Sequence, residues 1–256
     1  MIVQYDGSAY QGWQIQPARP TVQGTIEAAM KKVLGQAVRI HAAGRTDTGV
    51  HALAMPLHFQ TEHAIPIERI PKAISINLPA TIGILLAKEV DMSFDARKDA
   101  ILRWYRYQIC RTSLQEPLGP RAWHIRQPLD MNRVHIGLEL LRGEHDFRGF
   151  RSTQCQSERT VLNLQEVSMH PTDNLVAFDF KCRSFLQHMI RFLVGGLVAL
   201  GHGRIDPDQL RRGLEDGVRP GIIQCAPPEG LCLMDVAYGS DEKTNILDMS
   251  PKPPSF

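Results

Sequence analysis

Gly44-Arg45-Thr46-Asp47-Thr48-Gly49-Val50-His51-Ala52 is where the reading of this 256-residue chain begins. Gly44 and Gly49 permit backbone angles that other residues resist, so the segment reads as a tight loop. Apolar alternation runs into it through Val38, Ile40 and Ala42, and out of it from Val50 through Leu53 to Phe59, which predicts that it joins two strands. A short polar loop on a rigid sheet is a way to present one reactive carboxylate, here Asp47. Arg45, two residues away, favours the charged form of that carboxylate. Three other readings stand beside this one. Asp-Thr-Gly between strands is also a plain turn, its Asp bonded to its own backbone. Aspartic proteases use the same tripeptide, but their chemistry needs two carboxylates sharing a proton, and this chain has one such tripeptide. Asp47 and His51 together supply two metal ligands, which do not make a coordination sphere.

The whole nonapeptide resembles the Gly-Arg-Thr-Asp-x-Gly-Val-His-Ala signature of the tRNA pseudouridine synthase A family. The resemblance recurs in order along the chain. It includes Tyr5-Asp6-Gly7-Ser8-Ala9-Tyr10-Gln11-Gly12-Trp13-Gln14, read on its own as a Gly-rich loop with one packed tryptophan. Family members carry a few more residues before that motif, so the first strand, Met1–Tyr5, is expected to be shortened. Arg103-Trp104-Tyr105-Arg106-Tyr107 resembles an Arg-x-Tyr-x-Tyr motif whose first tyrosine, here Tyr105, lies against the target base. Phe185-Leu186-Gln187-His188-Met189-Ile190-Arg191 resembles Phe-Leu-x-x-Met-Val-Arg, whose arginine, here Arg191, pairs with the catalytic aspartate. Ala226-Pro227-Pro228-Glu229-Gly230-Leu231 resembles the closing Ala-Pro-x-x-Gly-Leu. Gly143-Glu144-His145-Asp146-Phe147 is also similar, with Arg148-Gly149 where serines are common.

Composition bounds the alternatives. Net charge is only +2, so an RNA surface must concentrate its arginines locally. The loop around Arg142, Arg148, Arg151 and Arg159 is one candidate for phosphate contact; Glu144, Asp146 and Glu158 are its local acidic alternatives. The five cysteines include no Cys-x-x-Cys pair, which argues against a disulfide framework or a zinc ribbon and fits a reducing compartment. The most apolar stretch, Phe185–Leu200, is too short to span a bilayer and carries His188 and Arg191. With no signal pattern at the N-terminus, the expectation is a cytoplasmic protein.

Periodicity predicts helices over 21–34, 67–78, 130–142 and 185–201, and a short one after Asp206-Pro207. Strands are expected at 82–90 (buried), 100–111, 160–168, 175–182 and 231–238. In the strand at 100–111, Ile101, Arg103, Tyr105, Tyr107 and Ile109 share one face. Residues 112–129 and 143–147 read as loops. These elements give an α+β class. The domains are placed at 1–115 (with the catalytic loop), 116–239, and a tail at 240–256. The resemblance implies two similar antiparallel sheet-and-helix halves around a central cleft, working as a homodimer.

The activity so implied is isomerisation of uridine to pseudouridine in the anticodon arm of tRNA, at positions 38, 39 and 40, with no cofactor and no metal. Asp47 is the catalytic nucleophile. Arg45 fills the place of the flipped nucleotide, Arg191 holds Asp47 ionised, and Tyr105 meets the base. Three departures bear on stability and substrate choice: Met55-Pro56 for Gln-Val, which predicts an edge strand or a bulge; Glu215-Asp216-Gly217 in place of an Asp-Arg pair; and Cys225 for a threonine. A non-catalytic RNA-binding or tRNA-chaperone module is the alternative function, and an aspartic protease a further one.

Overall fold

The structure is a computed structural model, described here for residues 1–62, 65–112 and 121–239. It is α+β and divides into two compact units, Met1–Arg103 with residues 232–239, and Trp104–Leu231. The expected cut at 115/116 and the tail at 240–256 lie outside the described residues. The observed division falls inside one strand, and the last strand returns to the first unit because it pairs there.

In the first unit, β1 (Ile2–Tyr5) lies between β4 (Ile82–Leu86) and β3 (His51–His58) and is antiparallel to both. β10 (Leu231–Tyr238) joins the other side of β3 in parallel, through Cys232 opposite His51 and Leu233 opposite Ala52. β2 (His41–Ala42) pairs with the far end of β3. Helix α1 (Val22–Leu34) begins at Thr21, whose side chain accepts from the Gly24 N–H. Its apolar stripe buries Val22, Ile26, Ala29 and Met30, and Ile2, Ile40, Met55 and Leu57 are buried in the same unit. Each of these side chains larger than alanine contributes about 1.5–3 kcal/mol by leaving water.

In the second unit the strand order runs β5-β9-β8-β7, with β5 at Ala100–Cys110 (in this unit from Trp104 on), β9 at Leu175–Cys182, β8 at Val161–Pro171 and β7 at Gly143–Asp146. A short β6 (Trp123–His124) runs parallel to β5. Helices α3 (Met131–Leu141), α4 (Met189–Gly201) and α5 (Pro207–Glu215) pack together, α3 also on β8 and α5 on β7. Tyr107, Phe147, Phe150, Phe178 and Phe180 are fully buried.

Several expectations change. The helix expected at 67–78 is a 3-10 turn (Ile67–Arg69) and then α2 (Ile70–Ser75), because Pro71 supplies no N–H to a continuous ladder. The buried strand expected at 82–90 is the edge strand β4, ending at Leu86, with Leu85 40% exposed. The loop at 143–147 contains β7, whose Gly-Glu-His-Asp has no apolar alternation to reveal it. The helix expected from Phe185 starts at Met189, because His188 takes a left-handed conformation (φ 63°) that no continuing α-helix allows. Arg191 therefore lies in a first turn, half-exposed, and not in the interior of an apolar helix. Pro56 lies on an interior strand, in regular register opposite Ile2, and not at an edge; the bulge falls beyond Met55, where Val3 faces Met55 while Tyr5 faces Ala52, one residue extra on β3.

Candidate active site

The loop from Gly44 to Val50 connects β2 to β3, so the two-strand reading holds. Its tip is a turn in which the Asp47 carbonyl accepts from the Val50 N–H at 3.1 Å, with Gly49 at φ 79°. Thr46 is buried and Asp47 half-buried, while Arg45 is exposed.

What fixes this tip is the 5–14 segment, which wraps it. The Trp13 N–H donates to the Thr46 carbonyl (3.0 Å) and the Gly49 N–H to the Tyr10 carbonyl (3.3 Å). The Tyr5 hydroxyl and Thr46 Oγ1 are 2.8 Å apart, and the Tyr5 and Trp13 rings meet at 5.9 Å. The Gly7 N–H donates to His51 Nδ1 at 3.1 Å, and Asp6 Oδ1 lies 3.1 Å from the same atom. The two backbones approach too closely for side chains at two points. A Cβ at Gly7 would sit 1.9 Å from the Val50 carbonyl oxygen, and one at Gly12, where φ is 85°, 2.8 Å from that of Thr46. Residues 5–14 are therefore the seat of the Asp47 loop, a role that the reading of a Gly-rich loop with a packed tryptophan missed. The His51 ring takes part in this seat through Nδ1.

A second support was legible only in part. Arg103 shares a face of β5 with Tyr105, Tyr107 and Ile109, as the alternation predicts; that face is the buried one from Arg103 on, and Arg103 is 9% exposed. Its Nε and Nη2 donate to the Ala43 carbonyl at 3.1 and 2.6 Å, and Nη2 also donates to the Arg97 carbonyl at 2.9 Å. It thus ties the root of the Asp47 loop to the turn before β5. A guanidinium satisfies carbonyls at several angles at once, which a lysine does not.

Tyr105 and Arg191 belong to the second unit. Tyr105 is buried, and its ring meets Phe185 edge-on at 5.3 Å. Arg191 donates from Nε to the Ala226 carbonyl (2.7 Å), and the Ala226 N–H returns a bond to the Arg191 carbonyl (3.1 Å). The next residue, Pro227, accepts from the Tyr107 hydroxyl at 2.8 Å. Burial, with Glu229 adding to it, pushes the Tyr107 hydroxyl far above the ordinary phenol range, so Tyr107 acts as a neutral donor that holds the 225–230 segment. The structure thus brings Arg45 and Asp47 together on one loop and ties Arg191 to the Ala-Pro segment of the other unit.

Of the four arginines read as candidate phosphate contacts, Arg142 donates to the Val167 carbonyl, Arg148 to that of Asp216 and Arg151 to that of Ser157, and Arg142 and Arg148 remain exposed. Among the described residues, no three His, Cys, Asp or Glu side chains cluster so as to hold a metal ion, and no helix is long and apolar enough to cross a membrane.

A family model described as tRNA pseudouridine synthase matches residues 1–97 and 138–239. The tRNA pseudouridine synthase A of Geotalea daltonii is 41% identical over 239 residues, covering 93% of this chain and 98% of the relative. That of Moorella thermoacetica is 40% identical over 237 residues, covering 91% and 96%.

Proposed function

Because the chain belongs to the tRNA pseudouridine synthase family, we propose that it isomerises uridine to pseudouridine in tRNA, at anticodon-arm positions 38, 39 and 40. The observation that carries this reading is the Gly44–Ala52 loop: a half-buried aspartate on a turn gripped by a second backbone segment. In the reaction the C1′–N1 bond breaks, the uracil turns, a C1′–C5 bond forms, and the C5 proton leaves while N1 gains one. Substrate and product are isomers, so the balance closes without a co-reactant.

Asp47 is the ionised carboxylate that serves as nucleophile or stabilises charge at the sugar. A rigid seat suits that task, because a carboxylate held in place does not reorganise as charge develops. Arg45, exposed beside it, fills the space of the extruded nucleotide. Tyr105 meets the base and offsets part of the cost of unstacking it. Arg191, its guanidinium plane fixed through Ala226, holds Asp47 ionised. The working form is a cytoplasmic homodimer.

The test is conversion of unmodified tRNA. Reverse-transcription mapping after carbodiimide treatment should place pseudouridine at positions 38–40 with wild-type protein. Conversion only elsewhere in the tRNA would overturn the positional assignment, and binding without conversion would leave an RNA-binding module. Arg191→Gln should lower kcat and leave tRNA affinity nearly unchanged; an unaltered kcat would remove Arg191 from the chemistry.

A further inference from the structure

A cavity of about 540 Å³ in the first unit borders the Asp47 loop along Gly44 and Arg45. Its charged lining is Arg39, Arg45, Arg97 and Lys98 against a single carboxylate, Asp95, a net +3. The entire chain carries +2, so this hollow holds more positive charge than the molecule as a whole.

The cations are available. Among the described residues, the guanidinium groups of Arg45 and Arg97 make no hydrogen bond or ion pair. Arg39 meets Glu27 at 3.3 Å with 61% of its side chain exposed, and Lys98 meets Asp95 at 3.6 Å with 83% exposed. Both cations keep most of their side chains in solvent, although Glu27 and Asp95 are largely covered, and screening weakens such pairs enough for a phosphate to compete. Glu27 is also occupied by the Ile40 N–H and the Gln23 amide.

Asp95 serves the hollow as a turn-former. Its Oδ1 accepts from the backbone N–H groups of Arg97 and Lys98, both at 2.9 Å, which sets those two side chains at the cavity. Burial alone would raise the Asp95 carboxyl; the N–H groups of Lys98 and Arg97 outweigh it and keep the group below its usual range. The Arg103 guanidinium bonds both Ala43 and Arg97, so the two basic walls are braced to each other and to the root of the Asp47 loop. A braced cationic hollow of this size suits a phosphodiester, and phosphate contacts are what fix register on a nucleic acid.

We infer that the hollow between the Asp47 loop and the Asp95–Lys98 turn is a phosphate subsite, which takes the tRNA backbone beside the target uridine through Arg39, Arg97 and Lys98. This rests on the proposed tRNA reading, and it gives that reading a register: the backbone is gripped on the side of the loop that carries Arg45.

The test compares wild-type protein with Arg97→Gln/Lys98→Gln, and with Arg133→Gln/Arg211→Gln as a control of equal charge on exposed helix positions. Losing two phosphate contacts should flatten the plot of log affinity against log salt by roughly 1.4 to 1.8, and should raise KM about tenfold or more with a smaller effect on kcat. The control should keep the wild-type slope, and Arg97→Lys should recover most of the loss. RNA carrying one neutral methylphosphonate locates the contact: a position that weakens wild-type binding should not weaken the double variant. Inorganic phosphate at millimolar concentration should compete with RNA for the wild type and not for the double variant. Competition without any methylphosphonate-sensitive position would mean a free-phosphate site and would overturn the RNA assignment. An equal slope for the variant and the wild type would overturn the subsite altogether. The salt slope, the methylphosphonate scan and the phosphate competition are binding measurements, so they decide the subsite even if no uridine is converted, in which case only the catalytic reading fails.

Discussion

At the scale of single residues, two buried charges make distinct predictions. Arg103 satisfies the carbonyls of Ala43 and Arg97, and an aliphatic replacement leaves both without that donor. Each lost buried partner costs about 1–3 kcal/mol. Arg103→Met should therefore lower the urea midpoint and also slow the reaction, because Ala43 is the root of the Asp47 loop; Arg103→Lys should fall between. A variant with wild-type stability and rate would deny the brace. Asp179 is 3% exposed, bonded in fork geometry by Arg106 through two 2.8 Å contacts and approached by His170 at 3.1 Å. Burial on its own would raise its carboxyl, but the bonds from Arg106 and Trp104 outweigh burial and hold it below the usual carboxylate range. A depressed folded value contributes stability above the ordinary carboxyl range, and loses it as pH falls through the lowered one. Asp179→Asn should thus cost most near neutrality, and the gap to wild type should close in acid; equilibrium unfolding from pH 7 to pH 2.5 reads it. A gap that stays constant with pH would contradict the linkage.

At the scale of elements, the seat of the Asp47 loop depends on the absence of side chains at Gly7 and Gly12. Gly12→Ala places a Cβ 2.8 Å from the Thr46 carbonyl oxygen at a φ of 85°, a backbone state that costs about 1–2 kcal/mol for an L-residue. The protein should still fold, and kcat should fall about 10²-fold, as displacing a catalytic group by about 1 Å does. Activity near wild type would show that the seat does not position Asp47. The same scale shows what a sequence can and cannot tell. Elements with a complete local signal were legible: α1 has the Thr21 cap, a stripe and Gly35, and α3 has the Asp130 cap, whose carboxylate accepts from Asn132 and Arg133. β5 was legible through its strict alternation, and so was the face that Arg103 shares with Tyr105 and Tyr107; which face turns inward was not. The Arg103 brace was not, because its partners lie 60 and 6 residues away and are backbone carbonyls, which carry no signature of their own. The start of α4 was misplaced because nothing in Phe-Leu-Gln-His marks His188 as left-handed. β7 escaped notice because pairing, and not apolarity, makes it a strand.

At the scale of the molecule, the near-neutral total conceals an uneven distribution: +2 overall beside a hollow of +3. That contrast explains why composition alone gives no sign of a nucleic-acid surface. Sedimentation equilibrium should give a dimer at micromolar concentration, and a monomer would remove that part of the proposal. The Asp47 loop itself was read from nine consecutive residues, since both its turn chemistry and its family signature are local; its seat was not, since it is built by a segment more than thirty residues earlier. The central claim is that Asp47 is the group on which a uridine isomerase turns. The most direct measurement is tritium release from tRNA labelled at uridine C5, with wild type and Asp47→Ala, alongside tRNA affinity for each. Release by the wild type that vanishes in Asp47→Ala with affinity retained is the predicted result. Equal release from both proteins, or binding without release from either, would contradict it.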